Sequence, residues 1–115
     1  MAKGILITTE GVIEHRNFNG LSDYQTAVGG LITSVHAVSG LCEGYANDEG
    51  LYLNMPLNAI ASILFGQYLV GNVVIIGAPD YEGHDTDADE SLLEYVGYLD
   101  SSMRMHEEFS TEASV

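Results

Sequence analysis

The eleven residues from Asp80 to Glu90, DYEGHDTDADE, hold six carboxylates and are the densest cluster of chemistry-bearing side chains in the chain. Oxygen ligands at this density suggest a calcium loop, whose twelve-position register requires Gly at the sixth place and Glu at the twelfth. Counted from Asp80, those places hold Asp85 and Ser91; counted from Asp85, they hold Glu90 and Val96. Both registers fail, so the segment reads as a solvated acidic loop that caps a following helix, and no metal site is expected. The four histidines (His15, His36, His84 and His106) include no pair at metal-ligand spacing such as i, i+4 on a helix. His36, between Val35 and Ala37, reads as a sheet-surface or satisfied core histidine. Cys42 and His36 have the types of a nucleophile and its base, but nothing in the sequence orients them, so a buried, inert thiol is the default. Gly71 and Gly77 belong to neither phosphate-cradling pattern, G-x-x-x-x-G-K-[ST] nor G-x-G-x-x-G, and have no Lys or Arg nearby. No catalytic residue and no cofactor is therefore expected, and the reading is non-enzymatic.

What remains is charge. Three Lys/Arg stand against 17 Asp/Glu, a formal net charge of −14 in 115 residues. Self-repulsion at this density works against the compact state and biases which partners can approach. The acid is concentrated at one end: residues 1–79 carry six acidic residues with Lys3 and Arg16, residues 80–115 carry 11 with Arg104 alone. An anionic membrane surface or a DNA backbone would repel such a chain, so neither a membrane nor a nucleic acid is an expected direct partner. A hydrophobic content of 46%, with seven Tyr and three Phe, marks a globular domain rather than a disordered acidic tail. The lone Cys42 fits a reducing compartment. Met1–Gly4 begins no signal-peptide apolar run, and no stretch approaches the roughly 20 apolar residues of a membrane span. A cytoplasmic location is expected.

The elements that must carry these residues follow from pattern. Lys3–Thr8 is a β-branched apolar run and predicts a strand, turned at Glu10-Gly11 into a second over Val12–Arg16. Asn17–Gly20 has loop chemistry. Ser22 can cap a short helix that Gly29-Gly30 ends. Leu31–Val38 and Leu41–Ala46 read as strands, with Asn47–Gly50 as a hairpin turn into a further strand at Leu51–Leu53. Asn54 and Pro56 open a helix whose buried face is Leu57, Ile60, Ala61, Leu64, Phe65 and Tyr68. Val73–Ile76 reads as a central strand covered on both faces. The final helix spans about Ser91–Glu108, with Leu92, Val96, Leu99 and Met103 at helical spacing and Asp87 and Glu90 at capping-box spacing. Together these predict one small α+β domain over residues 1–109, with a frayed tail at 110–115. Its sheet is mixed, mostly antiparallel and of about five strands, with two to three helices including the C-terminal amphipathic one.

Four separated pieces of this arrangement, taken in order, resemble the phage- and plasmid-associated proteins grouped as domain of unknown function 3846. They are the apolar N-terminal strand, Val28-Gly29-Gly30-Leu31-Ile32, Asn47-Asp48-Glu49-Gly50-Leu51 through Met55-Pro56-Leu57-Asn58, and Val70-Gly71-Asn72-Val73-Val74-Ile75-Ile76-Gly77. The resemblance covers about residues 3–90 and implies a phage- or mobile-element-encoded protein of the host cytoplasm; it implies no activity.

Two functional classes remain open. In the first, the acids of the loop and last helix (Asp85, Asp87, Asp89, Glu90, Glu94, Asp100, Glu107 and Glu108) form a surface that binds a basic host protein. Carboxylates displayed on a helix can imitate the phosphate spacing of a duplex, as an inhibitor of host or defence proteins would. In the second, Gly29, Gly30, Asn54, Gly71 and Asn72 let backbone approach a nucleotide or signalling molecule. A solvated acidic face, or adaptation to a salty cytoplasm, explains the charge without any partner. The apolar stripe of the last helix packs either on its own sheet or on a second copy as a homodimer.

Overall fold

The computed structural model describes residues 2–37, 40 and 42–113, with side chains through residue 102. Five strands form one open sheet: β1 (Ala2–Ile7), β2 (Ile13–Phe18), β3 (Ile32–His36), β4 (Cys42–Asn47) and β5 (Val73–Gly77), in the order β2-β1-β5-β4-β3. Every pairing is antiparallel, so the sheet is more uniform than the mixed one expected. Three helices cover it: α1 (Leu21–Val28), α2 (Ala59–Phe65) and α3 (Glu90–Ala113). The result is the predicted α+β class.

The alternation of the strands divides the core into two. Ala2, Leu6, Val74 and Ile76 face α1, where Phe18, Tyr24, Ala27 and Val28 join them. Ile5, Ile7, Val35, Cys42, Val73 and Ile75 face the other way, against Ile60, Ala61 and Phe65 of α2 and Val96 of α3. β5 lies at the centre of the sheet and is buried along its whole length, which is why its sequence is continuously apolar instead of alternating. Gly44 of β4 is the packing concession: a Cβ there would lie 2.7 Å from the Phe65 ring and 3.0 Å from the Val74 carbonyl oxygen. Its absence lets α2 approach the sheet closely.

The structure corrects several expected elements. Leu51–Leu53 are not a strand but exposed turn residues. β4 already pairs with β3 on one side and β5 on the other, so a returning strand has no free ladder to join. The buried Asn47 ends β4: its amide donates to the Val28 carbonyl (3.1 Å), and its Oδ1 accepts from the Glu49 N–H (2.8 Å). The helix expected from Asn54 begins only at Ala59. Asn54 takes a positive φ of 55°, and Leu57 is drawn into an antiparallel bridge with Val70. Asn58 is the true cap, its Oδ1 accepting from the Ala61 N–H (3.2 Å), while Gly66 at φ 67° stops the helix before Tyr68. Leu57 and Tyr68, expected to be buried, are exposed. Ser22 is not the cap: α1 starts two residues earlier than expected, at Leu21 after Gly20, and the Asp23 carboxylate accepts from the Asn19 N–H (2.7 Å). Asn17 and Phe18, read as loop, complete β2 because Phe18 pairs with Ala2 and fills the α1-side core.

Candidate functional site

The acidic loop follows β5, and the end of the sheet holds it in place. Continuing the β1–β5 register (Ile5 opposite Ile75) would set Lys3 opposite Gly77. Instead the loop wedges between them: Gly77 donates to the Thr86 carbonyl (3.1 Å), and Ala88 donates to the Lys3 carbonyl (2.7 Å). Gly77 is required here because a Cβ would collide with the Asp87 carbonyl oxygen and the Thr86 hydroxyl.

Each acid of the loop then has a distinct role. Asp80 Oδ1 accepts from the backbone N–H groups of Glu82 and His84, both at 2.9 Å, which closes the turn. Those bonds, that to His84 foremost, hold its exposed carboxyl below the usual range. Asp85 reaches over the α1-side core and accepts two phenol hydrogen bonds, from the Tyr45 hydroxyl on Oδ1 (2.8 Å) and the Tyr24 hydroxyl on Oδ2 (3.0 Å). The tyrosines belong to an aromatic run in which Phe18 and Tyr24 centroids lie 5.1 Å apart and Tyr24 and Tyr45 centroids 4.5 Å apart. Burial, and after it the Asp85 carboxylate, push both hydroxyls well above their ordinary value. Asp87 Oδ1 accepts from the Lys3 N–H (2.8 Å). The capping box expected of Asp87 and Glu90 does not form; Asp89 caps α3 instead, accepting from the Ser91 N–H (2.9 Å), which lowers its carboxyl.

The eight acids singled out from sequence therefore divide. Asp85, Asp87 and Asp89 are used as acceptors that order the loop, while Glu90 and Glu94 stand exposed on the first turns of α3. Asp100 lies further along the same helix. The side chains of Glu107 and Glu108, with that of Met103 and those of the expected tail at 110–115, lie outside the described residues. On the opposite face of α3, Val96 is fully buried and Leu92, Leu93 and Leu99 pack against the sheet core, so the stripe covers its own domain. Tyr95 and Tyr98 point outward. The part of Tyr24 and Tyr45 escaped sequence reasoning: they lie 61 and 40 residues from Asp85, and no local spacing signals such a contact.

Of the alternative ligand residues, Gly29, Gly71 and Asn72 come together in an open cleft of about 300 Å³ that Thr9, Thr26, Met55 and Pro56 also line. Gly30 and Asn54 do not line it. Gly30 packs against the Asn47 amide, and Asn54 lies in the preceding turn. The Asn72 amide is already committed: it accepts from the Thr9 N–H (3.3 Å) and donates to the Ala27 carbonyl (3.2 Å). Cys42 is buried, with its thiol pushed up by burial, and His36 is an exposed sheet-edge residue beside Glu43, so no nucleophile–base pair exists there. Among the described residues no cluster of His, Cys, Asp or Glu could hold a metal ion, and no helix is long and apolar enough to cross a membrane.

One open antiparallel sheet of five strands, layered between α1 and the α2–α3 pair, with an acidic loop wedged beside its central strand, defines the class of the protein. The family model for a domain of unknown function, DUF3846, matches residues 2–100, and the chain belongs to that family. No curated protein and no solved structure matches it.

Proposed function

We propose that this chain is a non-enzymatic acidic interaction protein, encoded by a phage or other mobile element, that binds a basic protein in the host cytoplasm. One observation carries the reading: residues 80–102 contain eight carboxylates and no Lys or Arg, on a loop pinned to the sheet and the helix that follows it. The contacts that order Asp80, Asp85, Asp87 and Asp89 use their oxygens as acceptors from backbone N–H and phenol groups, so these bonds fix the loop without a Lys or Arg side chain as donor. Fixed charge favours fast, steered association with a basic surface, because no loop entropy is lost when the partner arrives. Glu90 and Glu94, exposed beside this frame, are the groups free to pair with Arg or Lys across an interface.

Affinity capture from the host at low and high salt, read by mass spectrometry, tests the reading. A basic protein retained at about 50 mM salt and lost at about 500 mM is expected, since the Debye length falls severalfold over that range. The E90Q/E94Q variant should retain less of it. Capture that is indifferent to salt and to both substitutions would overturn the electrostatic reading. The cleft at Gly29, Gly71 and Asn72 favours a second reading, a small-ligand module, because Gly29 and the distant Gly71-Asn72 pair share one concavity. A thermal-shift panel of nucleotides and signalling molecules tests it; a flat response counts against it.

A further inference from the structure

Residues 50–79 contain no Asp, Glu, Lys or Arg, thirty consecutive uncharged positions in a chain of net charge −14. Part of this segment is β5 and the buried face of α2, where charge would be costly. The rest is on the surface. Leu57, Ile63 and Tyr68 are exposed and line one apolar concavity of about 430 Å³ along the outer side of α2. The turn that presents Leu51, Tyr52 and Leu53 is anchored beside it: Met55 donates to the Gly50 carbonyl (3.0 Å), and Gly50 packs against Val70, the partner of Leu57 in the bridge. Tyr52 is 84% and Tyr68 68% exposed, unusual for residues with nothing to hydrate but a hydroxyl.

We infer that this face joins two copies of the chain in an isologous dimer. The charge distribution selects the occupant. Two copies repel wherever carboxylates oppose one another; this segment itself offers them only uncharged residues, flanked by Glu49 in the turn and by α3, which packs against α2. The area agrees: the six apolar side chains expose on the order of 700 Å², close to the ~800 Å² each partner contributes to a standard interface. A two-fold arrangement makes the patch its own complement, and Tyr52 and Tyr68 are of the residue type that interfaces favour. This dimer requires no basic partner.

Salt separates the two. An apolar contact between like-charged bodies strengthens as salt screens their repulsion, whereas acid-to-base binding weakens. Sedimentation equilibrium of the full chain, on the order of 100 µM, should therefore give a dimer that tightens between about 50 and about 500 mM salt. In I63E/Y68E, both exposed positions, the dissociation constant should rise at least tenfold with the fold retained by circular dichroism. Tyr52→Glu, in the turn and clear of α2, repeats the test should the double variant unfold. A monomer at both salts, a dimer that dissociates as salt rises, or folded variants that dimerise like the parent would each overturn the inference.

Discussion

Replacing Asp85 with Ala removes the one acceptor shared by Tyr24 and Tyr45, and tests whether the acids of this loop are structural. Two hydrogen bonds to a charged acceptor, at 2.8 and 3.0 Å, are lost together. Buried, such bonds would contribute roughly 1.5–3 kcal/mol each. Asp85 is itself exposed, so solvent competes for the same hydroxyls, and about 1–2 kcal/mol for the pair is the reasonable sum. For a domain of this size that lowers the Tm by roughly 4–12 °C. A second readout follows from the phenols. Their folded pKa values lie above the unfolded value near 10.0, so both phenols hold their protons more tightly in the native state. That contribution is fully present below pH 10 and is lost as pH rises through the folded values. In Asp85→Ala the two delayed ionisations, followed by tyrosinate absorbance, should move down towards 10 but not reach it, because burial is the larger cause and persists. Glu94→Gln, an exposed change on α3, serves as the control and should shift stability by less than about 0.5 kcal/mol. An Asp85→Ala variant as stable as that control, with unchanged phenol titration, would refute the clamp.

Asn58→Ala should be the most damaging single polar truncation. The fully buried amide donates to the Ile7 and Gly71 carbonyls, both at 2.9 Å, and its oxygen caps α2. Two orphaned acceptors and a lost cap predict roughly 3–5 kcal/mol by urea denaturation. Cys42, buried with its thiol pushed up, should react with a thiol reagent at neutral pH only as fast as the chain opens, and at once in denaturant; rapid native labelling would contradict the packing.

Sequence pattern located the elements that have one dominant cause. β5 is apolar on both faces, α1 ends on a glycine at φ 81°, and the hairpin at Glu10-Gly11 closes with the Thr8 N–H bonded to the Val12 carbonyl. Leu51–Leu53, Leu57 and Tyr68 misled because they are apolar residues whose environment is not interior. Periodicity marks residues suited to burial and does not reveal that both sides of β4 are already occupied. It is equally blind to Leu57 bridging Val70, which shortens the helix at its start.

The amount of charge, its concentration after residue 79 and the α+β class follow from the order of the residues. What the acids do follows from contacts that the fold makes. Asp85 meets Tyr24 and Tyr45 across 61 and 40 residues, and Asp87 meets the Lys3 backbone across 84, contacts that exist because the loop crosses the end of the sheet. A carboxylate's charge is written in its residue type; whether it orders its own loop or faces solvent depends on which donors the fold brings within about 3 Å of it.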